Sequence, residues 1–123
     1  MKTALGELTF NTGWKTILQI DWFGKSYEIV VKAKAYFEKD GITKEQDESI
    51  SSFSRDKSEK IKKITTLVSE YSDNADSRFI PKTLLFLRDG SSALLCDDAE
   101  NPDEGIAICI SPEWKIVSQD DYL

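Results

Sequence analysis

The stretch KTILQIDWFGKSYEIVVKA, residues 15–33, joins two runs of strand-forming residues through a glycine, and it predicts a hairpin between Lys15 and Phe37 with its turn at Gly24 and Lys25. Registering the strands about that turn makes one face apolar and the other polar. The apolar pairs are Leu18 with Val31, Ile20 with Ile29, and Trp22 with Tyr27. The polar face carries Gln19, Asp21, Glu28 and Lys32. This agreement across both strands indicates an antiparallel sheet that buries one face.

The middle of the chain is predicted to be helical. Thr43 and Gln46 have the spacing of a capping box, which places a helix start near Lys44. Apolar residues then recur at helical spacing and end near Ser72. The serine-rich residues 51–58 interrupt this pattern. Two helices or one kinked helix are therefore predicted, followed by a polar loop with the sequence SDNADS.

Strands are predicted on both sides of this helical region. Leu8 and Phe10 indicate a short strand before the first hairpin. The later strands are expected at residues 83–87 and 91–96, which flank Asp89-Gly90, and at residues 105–110 and 114–117. The order of strands, helices and strands predicts an α+β fold: a mainly antiparallel sheet of about five or six strands with one or two central helices on one face. The length of 123 residues predicts a single domain over residues 1–123.

The net charge of −6 is concentrated at the C-terminal end of the chain. Residues 97–123 contain eight acidic residues and one basic residue, whereas the first 96 residues contain 14 acidic and 15 basic residues. Concentrated negative charge speeds association with a basic protein surface and repels nucleic acid and anionic lipid. We therefore predict a protein partner with a basic surface, and neither a nucleic acid nor a membrane as a ligand.

The predicted contact residues combine these acids with one aromatic residue. Trp114 is included because aromatic side chains often dominate the energetics of interfaces and because it follows the acidic segment. The complete predicted set is Asp97, Asp98, Glu100, Asp103, Glu104, Glu113, Trp114, Asp120 and Asp121.

The composition argues against an enzyme. The chain contains no histidine, and it has no recognisable nucleophile motif or metal-ligand cluster, so no catalytic residue, metal or cofactor is predicted. Asp97 and Asp98 are adjacent in a predicted strand, where successive side chains point to opposite faces and cannot converge on a substrate. The segment DDAENPDEG, residues 97–105, remains open to three interpretations: a solvated loop, a partner-binding edge, or an oxygen-ligand Ca²⁺ site without the EF-hand spacing.

Two further features indicate the compartment. Cys96 and Cys109 resemble small apolar strand residues and not a disulfide scaffold. The N-terminal sequence MKTALGELTF lacks the apolar run of a signal peptide, and no stretch approaches the roughly 20 apolar residues that span a bilayer. A cytoplasmic protein is expected.

Several motifs resemble a family of small bacterial domains. They are FGKSY at residues 23–27, Ile42, Thr43 and Gln46 before the helices, LLFLRDGSSALLCDD at 84–98, GIAICISPE at 105–113, and QDDYL at 119–123. Relatives of that family occur among the immunity proteins of contact-dependent growth inhibition and other polymorphic toxin systems. The similarity covers roughly residues 20–123, and most of the matching residues are ones that build a fold.

The resemblance implies a cytoplasmic immunity protein that binds and blocks a toxin domain, without identifying that toxin. If the toxin is a nuclease, its basic groove would be the surface that acidic side chains complement. The alternative from another class is a standalone structural or regulatory domain, calcium-responsive in one version, with no toxin partner.

Overall fold

The computed structural model describes residues 1–123, and its main sheet has seven strands that lie side by side in chain order. These are β3 (Thr9–Phe10), β4 (Trp14–Trp22), β5 (Lys25–Ala33), β6 (Phe79–Phe86), β7 (Ser92–Asp98), β8 (Ile106–Ser111) and β9 (Lys115–Ser118). A separate two-stranded sheet pairs β1 (Lys2–Thr3) with β2 (Gly6–Glu7). The helices are α1 (Lys44–Arg55), α2 (Lys57–Tyr71), α3 (Ala75–Arg78) and α4 (Gln119–Tyr122). A 3₁₀ turn spans Glu38–Asp40.

All neighbouring strands of the main sheet are antiparallel except β5 and β6, which are parallel. A parallel pair needs a long crossover, and α1, α2 and α3 form it. The α+β class and the mainly antiparallel sheet are thus confirmed. The predicted five or six strands are too few, and the order of elements ends on the short helix α4 instead of a strand.

The first hairpin is present, but its turn lies one residue earlier than predicted. Trp22 pairs with Lys25, so the register differs from the predicted one by two residues. The reason is a two-residue turn in which Phe23 and Gly24 both have positive φ, 52° and 82°, a geometry that matches the twist of the flanking strands. A shift of two residues leaves every side chain on its predicted face. The apolar face of β4 and β5 accordingly lies in the core, and Gln19, Asp21 and Glu28 are exposed.

The capping box at the start of α1 is confirmed. The Gln46 backbone N–H donates to Thr43 Oγ1 at 3.0 Å, and the Thr43 N–H donates to Gln46 Oε1 at 2.8 Å. The fully buried Gln46 side chain also donates to the carbonyl oxygens of Lys34 and Phe86, at 3.0 and 3.1 Å. Because these residues lie at the ends of the two parallel strands, the capping side chain also joins the helix to the sheet.

Two helices and not one kinked helix are formed, with Asp56 between α1 and α2. The second half of the segment predicted as a polar loop, residues 75–77, is helical and belongs to α3. The helices cover one face of the sheet, and the main core lies between the two layers. Its largest fully buried side chains include Trp22, Phe53, Phe79 and Phe86.

The other face of the sheet holds a smaller apolar cluster. Ala93, Ala107 and Cys109 are buried there, and Tyr122 of α4 packs against them. Cys96 belongs to the main core on the helix side, so the two cysteines lie on opposite faces of the sheet, and both are free thiols.

Candidate functional site

The acidic segment continues from the last residues of β7 into the loop that leads to β8. Of the predicted contact residues, Asp98 is buried, with its side chain 4% exposed. The Arg78 guanidinium donates from Nε to Asp98 Oδ1 at 2.9 Å and from a terminal nitrogen to Oδ2 at 3.0 Å. These hydrogen bonds from Arg78 hold the pKa of Asp98 below its usual value. Asp98 is thus engaged inside the protein, and we exclude it from the candidate contact surface.

The other acids of this segment are exposed. Asp97 lies 4.0 Å from Lys82 in an exposed ion pair. Glu100 accepts a hydrogen bond from Asn74 at 2.6 Å and lies 3.9 Å from Arg78. Exposed ion pairs of this length contribute little to stability, so these carboxylates can exchange partners at small cost.

The C-terminal acids lie beside this loop. Gln119 begins α4 and anchors it: its side chain donates to the carbonyl of Cys96 at 2.8 Å, and its backbone N–H donates to the carbonyl of Gly105 at 3.0 Å. Asp120 and Asp121 follow at once and are exposed. The tertiary structure thereby brings six exposed carboxylates to one end of the sheet. We call this group the acidic end: Asp97, Glu100, Asp103, Glu104, Asp120 and Asp121.

Glu113 and Trp114 do not belong to the acidic end. They follow β8, whose last residue Ser111 pairs with the first residue of β7, Ser92, so they lie at the opposite end of the sheet. Glu113 is 3.2 Å from Lys115 in an exposed ion pair. Trp114 packs against the main core, and the ammonium of Lys63 lies 4.7 Å from its ring centroid.

Sequence reasoning missed two exposed aromatic residues, Tyr36 and Phe37, which are 78% and 63% exposed. Both follow β5 and precede the 3₁₀ turn. A signal was present in the sequence, because two aromatic residues side by side break the alternation of the preceding strand. Aromatic side chains with this exposure are candidates for protein contacts.

No group of three or more His, Cys, Asp or Glu side chains is arranged to hold a metal ion. No helix of the protein is long and apolar enough to span a membrane. Comparison of the chain with protein-family models, with curated proteins and with solved structures yields no match.

Proposed function

We propose that this protein is a cytoplasmic immunity protein, which binds a cognate bacterial toxin domain and neutralises it through the acidic end. The observation that carries the proposal is the gathering of six exposed carboxylates at one end of the sheet, from two segments separated in sequence. Only Lys82 and Arg78 offer basic groups within 4.0 Å of any of them. Such a surface steers a basic partner toward it.

The proposed role is binding and not catalysis. The acidic end has neither a histidine nor a nucleophile beside a base, whereas its carboxylates are suited to pair with lysine and arginine side chains of a partner. A nuclease toxin would present such a surface, because the groove that holds nucleic acid is itself basic. The resemblance of several motifs to a bacterial domain family with relatives among immunity proteins favours the same role.

The first experiment is growth rescue. The C-terminal domain of the protein encoded by the gene immediately upstream is expressed in cells with and without this protein, and growth is measured. A tagged copy of this protein is then used to pull down the upstream gene product. We expect toxicity from that domain alone, rescue on co-expression, and a tight specific complex. Absence of both toxicity and binding would contradict the proposal.

A charge-neutralised variant tests the surface. The substitutions Asp97→Asn, Asp103→Asn and Glu104→Gln should slow association and flatten its dependence on salt concentration, because electrostatic steering is lost. A matched control changes the net charge equally at exposed acids away from the acidic end: Glu38→Gln, Asp47→Asn and Glu59→Gln. Equal association rates for the two variants would show that the acidic end is not the contact surface.

A further inference from the structure

A cleft of about 460 Å³ lies at the end of the sheet opposite the acidic end. One wall is a single face of α1, formed by Glu45, Glu48, Ser49 and Ser52, whose spacing places them above one another. The other wall comes from residues 89–92, which belong to the turn before β7 and to the first residue of that strand, and from residues 110–112 with Trp114. Lys60 of α2 closes the cleft at one end.

The charges in the cleft are separated along its length. The turn touches the start of α1 so closely that a Cβ at Gly90 would lie 3.0 Å from the Glu45 carbonyl oxygen. Asp89 therefore lies near Glu45. The Lys60 ammonium donates to Ser52 Oγ at 2.8 Å, and Ser52 lies seven residues beyond Glu45, about 10 Å along the helix axis. One end of the cleft is acidic and the other basic.

The carboxylates of the acidic half have little compensation within the protein. Glu45 and Asp89 form no ion pair, and Glu48 lies 3.9 Å from Lys44 with both side chains well exposed. Asp89 accepts the backbone N–H of Ser91 at 2.9 Å, and this hydrogen bond lowers the pKa of Asp89. These carboxylates are free to accept hydrogen bonds from a ligand.

The cleft also contains a buried polar group that a ligand could satisfy. Ser92 is 2% exposed, lines the cleft, and its hydroxyl forms no hydrogen bond within the protein. Because this hydroxyl keeps some access to the cleft and has no partner in the protein, it can accept a hydrogen bond from a donor that enters the cleft. Phe53, Ile110 and Trp114 supply the apolar part of the lining.

We propose that this cleft accepts an arginine or lysine side chain presented by the partner protein, an inference that rests on the proposed function. The cationic group would donate to the carboxylates of Glu45 and Asp89 and to the Ser92 hydroxyl. Its aliphatic stem would lie against the apolar lining, as long basic side chains commonly do. Lys60 confines the cation to the acidic half by charge repulsion. Arginine is the better fit, because its planar fork binds carboxylates through two hydrogen bonds.

The test is an NMR titration with Nα-acetyl-arginine amide as the ligand. The indole N–H signal of Trp114 reports binding. The protein contains three tryptophans, and Trp114→Phe assigns the signal. We expect a saturable shift of the Trp114 signal, weaker with the acetyl-lysine analogue and absent with the neutral acetyl-glutamine analogue. The double variant Glu45→Gln, Asp89→Asn should weaken binding roughly tenfold or more. Asparagine keeps the hydrogen bond to Ser91, so the turn is preserved.

The double variant Asp103→Asn, Glu104→Gln is the matched control, because it removes the same net charge at the acidic end. It should bind the arginine amide as the unmodified protein does. No saturable shift, or equal weakening in the two double variants, would overturn the cleft proposal. A toxin partner that binds the cleft variant with unchanged affinity would also overturn it and leave the proposed function standing. If the arginine amide binds as expected but no toxin partner is found, the cation site is supported and the proposed function is contradicted.

Discussion

The guanidinium of Arg78 and the carboxylate of Asp98 are joined by two parallel hydrogen bonds, of 2.9 and 3.0 Å. Arg78 ends α3, and Asp98 ends β7 opposite Phe79, the first residue of β6. Asp98 Oδ1 also accepts the backbone N–H of Glu100 at 3.0 Å. The pair therefore holds the start of the loop after β7 against α3. It thereby sets the direction in which this loop, with its exposed carboxylates, leaves the sheet.

Replacing Asp98 with asparagine should lower the free energy of unfolding by about 1–3 kcal/mol at pH 7, because charge-assisted hydrogen bonds to a buried group are lost. Urea denaturation measures this difference. The neighbouring Asp97→Asn is the control, since Asp97 is exposed and should change stability by no more than about 0.5 kcal/mol. Equal effects of the two substitutions would contradict a structural role for Asp98.

Stability should fall in acid partly because of the same pair. Arg78 holds the pKa of Asp98 below its usual value in the folded protein, whereas in the unfolded chain the carboxyl has its ordinary pKa of about 3.8. The ionised pair therefore stabilises the fold above about pH 4, and that contribution is lost as the pH drops through the folded-state pKa. The melting temperature should fall less steeply between pH 7 and pH 2 for Asp98→Asn than for the unmodified protein. Parallel curves would exclude this contribution.

Gln46→Leu should destabilise the protein by about 1–3 kcal/mol, because the carbonyl oxygens of Lys34 and Phe86 each lose the hydrogen bond that the buried glutamine side chain donates. The capping contribution can be separated with Thr43→Ala, which removes the cap to the Gln46 N–H and costs about 1 kcal/mol. Gln46→Leu is expected to be the more damaging of the two in urea denaturation. If Thr43→Ala were the more damaging substitution, helix capping alone would account for the contribution of Gln46 to stability.

Gly24→Ala should cost about 1–2 kcal/mol through the backbone alone. Gly24 has φ 82°, and a Cβ built there meets no atom within 4 Å, so no steric clash contributes. Lys25→Ala, next in the chain, is the control and should have little effect. A stability loss that is the same for both variants, measured by thermal unfolding, would argue against the two-residue turn.

The reactivity of Cys109 should depend on the ring of Tyr122. Burial raises the pKa of the Cys109 thiol and raises that of Tyr122 to about 12, and Tyr122 packs over the cluster that contains Cys109. Tyr122→Ala should therefore speed modification of Cys109 by a maleimide. Tyr122→Phe, which keeps the ring, should not.

Mass spectrometry of the modified peptides distinguishes the two thiols. Cys96, buried in the main core on the other face, should remain unmodified in all three proteins. Modification of Cys96 in step with Cys109 would indicate global unfolding instead of release of α4.

The fold was largely predictable where local patterns decide the structure. The alternation in β4 and β5, the capping box of α1 and the Asp89-Gly90 turn all depend on residues close in sequence. The turn of the first hairpin was placed one residue late because an aromatic residue at positive φ, Phe23, is uncommon. The two aromatics after β5 were missed because exposure depends on what packs against a loop.

The sequence by itself determined the α+β class, the buried face of the first hairpin, the start of the helical region and the excess of acid at the C-terminal end. These follow from periodicity, capping and composition, which act over a few residues. Only the tertiary structure decided which acids share a surface. It buries Asp98 against Arg78, joins Asp120 and Asp121 to the loop after β7, and sends Glu113 to the other end of the sheet. The positions of these acids are set by pairing between strands that are distant in sequence. A count of charges along the chain contains no information about that pairing.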